Sequence, residues 1–243
     1  MPVMKVGPGR ALLGGGGNYN DLVMGTGPIA YWPLWETSGT VAHCLVNPAQ
    51  NGTYSSNVAT WPVGMGIGDG NTAPMFDGTN DFINVLTAAL IAAWNGAEGG
   101  VGLWYLANAL AHNDATLRRM WRNRVDATNY TVIAKAGANS NIQADYSAGA
   151  VVETSPLGLN PAPTVFKHYV MTWSRANDRV RYYDDGVNYE TDTVLGVWAG
   201  ALAAAVIGAT TAAGLNPYYG KLAHVVVFGY EPTPGTVADL AMV

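Results

Sequence analysis

The sequence FKHYVMTW at residues 166–173, followed by RVRYY at residues 179–183, decides the fold. Both segments change side-chain character at every second position, which is the period of a β-strand. Residues 174–178 form a polar turn between them, and DDG at residues 184–186 turns the chain into another alternating segment at residues 187–191. Gly adopts a positive φ without steric cost, and Asp tolerates it. The sequence therefore predicts a three-stranded antiparallel meander.

Short apolar or alternating segments continue along most of the chain. We predict strands at residues 29–34, 74–77, 81–85, 100–107, 130–135, 141–147, 149–153, 166–174, 179–183, 187–192, 203–208 and 221–230. Asn-Gly and Asp-Gly pairs at residues 51–52, 77–78 and 185–186 mark turns between such segments. Many short strands at this spacing are typical of a β-sandwich or barrel, so the predicted class is all-β.

The composition restricts the partners and leaves one question open. Only 12% of the 243 residues are charged, about half the usual share. Either much of the surface is buried against other subunits, or the exterior is polar but uncharged. The net charge of −5 argues against nucleic acid as a partner. The longest apolar stretches, at residues 88–94 and 198–207, are too short to span a membrane.

The N-terminal residues depart from the strand pattern. Residues 1–26 are rich in Gly, with four in succession at residues 14–17, and predict an extended arm. Leu12 and Leu13 are its only bulky pair. We expect these two residues to anchor the arm, either on a neighbouring subunit or on the chain's own domain.

A second departure lies at residues 108–125, where the sequence predicts a helix. Leu117, Met120 and Trp121 follow the i, i+3, i+4 spacing of one helix face. Residues 117–124, LRRMWRNR, also hold four of the chain's twelve basic residues. Arg and Trp are enriched at interface hot spots, so this segment is a candidate for docking to an acidic protein surface. The candidate docking residues are Arg118, Arg119, Trp121, Arg122 and Arg124. The alternative is a solvated helix whose apolar side packs on the sandwich.

Four stretches resemble the laminin-G-like, concanavalin A-like jelly-roll domains of phage and bacterial surface proteins. They are IAYWPL with ETSGT within residues 29–40, MFDGTNDFINV at residues 75–85, the meander from residue 166 to residue 189, and GKLAHVVVF at residues 220–228. Each stretch resembles a sequence motif of a strand or hairpin in that family. Their order along the chain also matches the family.

The resemblance implies a two-sheet antiparallel jelly-roll sandwich over residues 27–243. The Gly-rich arm would precede it, and the helical insertion at about residues 108–125 would leave it at one end. In such a sandwich the inner faces of both sheets are apolar. We expect Trp32, Trp104 and Trp173 to point inward there.

Glycoside hydrolases of this fold carry paired carboxylates on one strand, and this sequence lacks their pattern. The related hydrolases use a Glu-x-Asp-x-x-Glu phrase, and none of the seventeen acidic residues forms it. Glu190 and Asp192, which alternate on one strand face, come nearest. The four histidines lack the spacing of metal ligands. We therefore predict no catalytic residues and a chain that is not an enzyme.

Calcium is the one metal that the resemblance suggests, since laminin-G-like domains often bind it through loop oxygens. The candidate ligands are Asp77, Asn80 and Asp81. The alternative is that Asp77 and Asn80 cap turns. No cofactor is required by the sequence.

Aromatic residues in predicted loops are candidates for stacking on sugar rings. They are Tyr54, Trp61, Tyr218 and Tyr219. Tyr218 and Tyr219 follow Asn216 and Pro217 in a predicted loop. The alternative is that one tyrosine of this pair packs inward.

Two functions follow from these features. The first is a structural and adhesive protein of a large assembly, such as a phage virion decoration or a tail-associated subunit. It would form a homo-oligomer and contact neighbouring subunits through its arm and its Arg-rich segment. The alternative is an extracellular or cell-surface carbohydrate-binding module.

Overall fold

A computed structural model of the chain describes residues 18–56, 58, 61, 63–112, 114–137, 141–155 and 165–243. Within these residues the chain forms two antiparallel sheets of eight strands each. The predicted all-β sandwich is confirmed.

Sheet A contains the meander that the sequence predicts. Its strands, in spatial order, are β14 (Val187–Asp192), β13 (Arg179–Asp184), β12 (Lys167–Ser174), β7 (Glu98–Ala107), β16 (Tyr219–Phe228), β5 (Thr72–Asp77) and β4 (Val63–Met65), with β1 (Ala30–Trp32) paired to β16. The long strands β7 and β16 lie at its centre and pair with each other over most of their lengths.

Sheet B packs on sheet A. Its strands, in spatial order, are β11 (Val151–Thr154), β10 (Ile142–Ala148), β9 (Tyr130–Lys135), β8 (Arg118–Arg124), β15 (Ala204–Ile207), β6 (Ile83–Asn84), β3 (Gly52–Tyr54) and β2 (Val41–Ala42). The helices are α1 (Tyr19–Gly25), α2 (Ala88–Ala93), α3 (Ala109–His112), α4 (Pro234–Leu240) and a 3₁₀ turn at Pro48–Gln50. In the part of the chain that the structure describes, no helix is long and apolar enough to cross a membrane.

The main core lies between the two sheets and is rich in aromatic rings. Trp32, Trp121 and Trp173 are fully buried in it. The rings of Tyr146 on sheet B and Trp173 on sheet A stack with centroids 5.6 Å apart, which joins the two sheets. Buried rings of this size stabilise the fold by roughly 2–3 kcal/mol each.

A second apolar cluster covers the other face of sheet A. Trp104 lies here and not in the main core, so the prediction that it faces the inside of the sandwich was wrong. Its Nε1 atom donates to Tyr19 Oη of α1 at 2.7 Å, and Tyr19 Oη donates to the carbonyl oxygen of Leu240 at 2.8 Å. Helices α1 and α4 are therefore linked to each other and to the sheet.

The predicted helix at residues 108–125 was also wrong. Among the described residues of this range, only Ala109–His112 is helical, and Arg118–Arg124 forms strand β8. A register irregularity between Arg119 and Trp121 explains the error. At such a bulge two successive residues can face the same side, and Met120 and Trp121 are both fully buried. Their spacing therefore resembles that of a helix.

The predicted extended arm does not continue to residue 26. Asn18 caps α1 by accepting from the backbone N–H of Asp21, while the Asp21 side chain accepts from the backbone N–H of Asn18. This reciprocal pair satisfies two otherwise free donors and begins the helix. Leu12 and Leu13, the proposed anchors, lie outside the described residues.

Candidate functional site

The outer face of sheet B carries the charged and polar residues of three central strands. In β8, β9 and β10, Trp121, Ile133 and Tyr146 point into the main core, so the residues beside them point outward. The outward residues form three cross-strand rows, which are Arg119–Ala134–Gln143, Arg122–Val132–Asp145 and Arg124–Tyr130–Ser147. We call this surface, formed by Arg119, Arg122, Arg124, Tyr130, Gln143 and Asp145, the arginine face.

Buried apolar side chains lie beneath the arginine face. Val132 and Ala134, on the middle strand, are buried although they point away from the main core. Arg119 and Arg122 are half-buried beside them. Charged groups beside buried apolar side chains are poorly solvated, so their electrostatic interactions are stronger than those of fully exposed groups.

Among the described residues, no ion pair involves the guanidinium groups of this face, although the charge of Asp145 acts on Arg119. Burial lowers the pKa values of Arg119 and Arg122, and the positive charges of Arg124 and Arg119 lower that of Arg122 further. The Nε atoms of Arg119 and Arg122 are buried without a hydrogen-bond partner among the described residues. The ion pairs of described arginines belong to Arg118, Arg175, Arg179 and Arg181.

Tyr130 and Asp145 complete the face. The Tyr130 ring is half-buried, and the guanidinium carbon of Arg122 lies 6.0 Å from its centroid. Burial raises the pKa of Tyr130, and the charge of Asp145 raises it further. Gln143 Nε2 donates to Asp145 Oδ1 at 2.9 Å, which fixes that carboxylate. Donors, an acceptor and an aromatic ring thus meet on one surface, which is what binding a polar ligand requires.

Three of the four aromatic residues predicted to bind sugar are in the core. Tyr54, Trp61 and Tyr218 are 2%, 4% and 1% exposed, so the prediction that they stack on a ligand was wrong. Their rings join through Phe76 in a row of edge-on contacts with centroids 5.0 to 6.3 Å apart. Because these rings contact one another in the core, they are not free to stack on a sugar. Tyr219 is half-buried, with the guanidinium carbon of Arg118 5.8 Å from its ring centroid.

The predicted docking residues separate into two groups. Trp121 is in the core and donates to Thr131 Oγ1 at 3.0 Å, and Arg118 is paired with Asp114 at 2.5 Å. These two residues hold the fold together and are not free to dock. Arg119, Arg122 and Arg124 are brought together on the arginine face. Tyr130, Gln143 and Asp145 were missed by sequence reasoning, although the alternation of β9 and β10 does place them on a common face of their strands.

The predicted calcium ligands serve the turn after β5. Asp77 Oδ1 accepts from the backbone N–H of Thr79 at 2.7 Å and of Asn80 at 3.2 Å. Asp81 Oδ2 accepts from the backbone N–H of Asp77 at 2.9 Å, and burial raises the Asp81 pKa to about 6. Within the described residues, no three His, Cys, Asp or Glu side chains are grouped as metal ligands. The calcium site stays a prediction.

A buried polar chain lies on the opposite side of the molecule, beneath α1. His224 Nδ1 is 2.6 Å from Tyr31 Oη, which in turn is 2.6 Å from Asn20 Oδ1. His224 Nε2 is 3.1 Å from Asp69 Oδ2. His224 also has a φ of +51°, which lies in the left-handed region at an irregular point of β16. This chain joins α1, β1, β16 and the loop before β5, and its burial makes it structural.

Comparisons with known proteins support the fold. No protein-family model matches the chain, and no curated protein matches it in sequence. Domain 4 of a GH43 extracellular arabinanase from Geobacillus stearothermophilus, solved with arabinotriose, has a TM-score of 0.66 at 16% identity, over 88% of this chain and 98% of that chain. A sialidase CBM40 from Ruminococcus gnavus bound to α2,3-sialyllactose has a TM-score of 0.55 at 8% identity, over 70% of this chain and 96% of that one.

A third similar structure is the receptor-binding domain of a botulinum neurotoxin of mosaic serotype C/D. Its TM-score is 0.62 at 9% identity, with 88% of this chain and 50% of that chain covered. At these identities the likeness shows the jelly-roll-like sandwich fold alone. The family prediction is thus confirmed only at the level of a β-sandwich shared with binding domains.

Proposed function

We propose that this chain is a glycan-binding domain and that the arginine face is its binding surface. One observation carries the proposal. On one outer sheet face, three arginines without an ion pair among the described residues lie beside an aromatic ring and a fixed carboxylate. No competing role inside the described part of the fold uses these groups.

The chemistry of the face suits a sugar. Sugar hydroxyls both donate and accept hydrogen bonds, and the faces of sugar rings carry C–H groups. Asp145 accepts, Arg119 and Arg122 donate, and Tyr130 offers a rigid apolar ring with a polar tip. Half-buried groups also lose little conformational entropy on binding, which favours affinity.

The similar structures support this proposal over an enzymatic one. Two of the three described above were solved with an oligosaccharide, arabinotriose in one and α2,3-sialyllactose in the other. The third is a receptor-binding domain. Placement outside the cell, as a binding domain of a larger protein or particle, is part of the proposal.

The test is glycan binding by the full chain and by two tyrosine variants. We expect a glycan array to give binding with the wild type and about tenfold weaker binding with Tyr130→Ala, because the variant loses the stacking surface. Tyr219→Ala is the matched control. It removes a half-buried tyrosine that also lies beside an arginine, but on sheet A. Loss of binding in the control alone would move the site away from the arginine face.

A subunit of a larger assembly, such as a phage virion decoration or tail protein, is the second candidate. It is favoured by the 12% share of charged residues and by exposed valines near the edge strand β11. They are Val151, Val152, Val194 and Val197. Light scattering at several concentrations tests it, because a stable homo-oligomer is expected from this surface and a monomer at every concentration would count against it.

A further inference from the structure

We infer that the ligand of the arginine face is an acidic glycan, recognised through a sugar carboxylate. The inference rests on the proposed function, since it specifies the ligand class of the same site. The argument starts from the distribution of ion pairs over the described arginines.

Four of the seven described arginines have a carboxylate partner, and three do not. Arg118 pairs with Asp114, Arg175 with Asp178, and both Arg179 and Arg181 pair with Glu231. The three without an ion pair in the described part of the chain are Arg119, Arg122 and Arg124. The chain has seventeen acidic residues for twelve basic ones, so a shortage of carboxylates does not explain the difference.

Clustering three unpaired cations costs free energy. Arg119 and Arg124 both act on Arg122 by repulsion, and Arg119 and Arg122 are partly desolvated as well. An anion bound between them would remove the repulsion and restore the lost solvation. The face is therefore complementary to a negatively charged group.

The geometry favours a carboxylate. The Nε–H groups of Arg119 and Arg122 are buried, so a ligand would meet the outer Nη groups of these side chains. The two Nη groups of a planar guanidinium match the two oxygens of a carboxylate and form two parallel hydrogen bonds. A uronic acid and a sialic acid both present this group on a sugar ring.

Tyr130 and Asp145 distinguish a sugar acid from a nucleic acid. Asp145 acts electrostatically on Arg119 and would repel a continuous phosphate backbone, as would the chain's net charge of −5. The same carboxylate can accept a hydrogen bond from a sugar hydroxyl. Tyr130 lies against Arg122, where the non-ionic face of the sugar ring would pack.

The experiment is calorimetric titration of the full chain with two acidic and two neutral oligosaccharides. The acidic ligands are trigalacturonate and 3′-sialyllactose, which distinguish uronic from sialic acid, and the neutral ones are arabinotriose and lactose. We expect the wild type to bind at least one acidic ligand at least tenfold more tightly than either neutral one. Arg119→Gln and Arg122→Gln should each weaken acidic-ligand binding at least tenfold. They should weaken neutral-ligand binding by a smaller factor, so that the preference for the acidic ligand falls.

Arg175→Gln is the matched control, since it removes one positive charge from an exposed turn of sheet A. Equal weakening by this control would indicate a long-range charge effect and overturn the inference. Equal binding of the wild type to the tighter-binding acidic ligand and to the methyl ester of that ligand would overturn it without any variant. Displacement of the acidic sugar by single-stranded oligothymidine at equal concentration would replace it with a polyanion site.

Failure of the inference is distinguishable from failure of the proposed function. Tight binding of neutral sugars with no acidic preference would overturn the carboxylate and leave the glycan-binding face. Binding of no sugar by the wild type would overturn both.

Discussion

His224 Nε2 lies 3.1 Å from Asp69 Oδ2, and the two side chains are only 1% and 4% exposed. Tyr31 lies 2.6 Å from His224 Nδ1, and Asn20 accepts from Tyr31 Oη. The imidazole of His224 therefore lies between the hydroxyl of Tyr31 and the carboxylate of Asp69. It joins strand β1 to the loop before β5 inside the fold.

Acid should weaken the fold through Asp69. Burial raises the pKa of Asp69, but hydrogen bonds from His224 and Asn71 outweigh it and lower the pKa to about 2 from its ordinary 3.8. A lowered carboxyl pKa stabilises the folded state fully above about pH 4, and this stabilisation is lost as the pH falls toward 2. We expect Asp69→Asn to lower the free energy of unfolding at pH 7 by about 1–2 kcal/mol and to lose less stability between pH 4 and pH 2 than the wild type. Urea unfolding at several pH values measures both, and parallel pH profiles would contradict the assignment.

Tyr31→Phe should destabilise the same chain of contacts. The variant leaves His224 Nδ1 and Asn20 Oδ1 without a partner, which costs about 1–3 kcal/mol in a buried site. Tyr218→Phe is the control, because the Tyr218 hydroxyl is buried with no hydrogen-bond partner among the described residues. It should be neutral or slightly stabilising. Urea midpoints at unchanged slope test the pair, and equal effects would show that the Tyr31 hydroxyl contributes nothing specific.

Gly208→Ala should be among the most damaging small substitutions. Gly208 has a φ of +84°, and an added Cβ would lie 2.2 Å from Cε1 of Phe76 in the main core. Strain in the backbone and overpacking together should cost roughly 2–4 kcal/mol. Gly25→Ala, at the end of α1, meets no atom within 4 Å and should leave stability unchanged or slightly higher. Thermal melts compare the two, and a mild effect at Gly208 would mean that the ring of Phe76 can move.

The arginines of the arginine face should contribute little to the stability of the fold, or lower it. Arg122 has no ion pair to lose in the described part of the chain, so Arg122→Gln should change the melting temperature by less than about 2 °C, or raise it. Arg118→Gln removes the contacts with Asp114 and with the carbonyl oxygen of Pro217 and should lower it by about 3–6 °C. Thermal unfolding monitored by circular dichroism tests both. A large loss of stability in Arg122→Gln would mean that this side chain has a structural partner.

The sequence predicts the meander of sheet A well because the side chains of its strands alternate in character. Arg179 to Asp184 and Val187 to Asp192 are found almost where the alternation places them. Strands of two or three residues, such as Val41–Ala42 and Gly52–Tyr54, are too short to show a period and were missed. Strand β8 was missed for a different reason, since its bulge puts Met120 and Trp121 on the same side.

The candidate site required the pairing of strands, which a single sequence does not show. Alternation in β9 tells that Tyr130 and Val132 share a side, but not whether that side meets the core or the solvent. The strand register, which pairs Tyr130 with Arg124 and with Ser147, places Tyr130 on the outer face of sheet B. The same limit explains the wrong prediction for Trp104. Its strand, β7, has an apolar cluster on each side of sheet A, and alternation alone does not tell which cluster contains Trp104.

The covering of sheet A by α1 and α4 has a practical consequence for the orientation of the domain. Asn18 caps α1, and Val243 lies near Gly68, so both ends of the described chain are on the sheet A side. The arginine face is on the outer side of sheet B. A bead, sensor chip or fused domain attached at residue 18 or residue 243 would therefore leave the arginine face turned toward the surrounding medium.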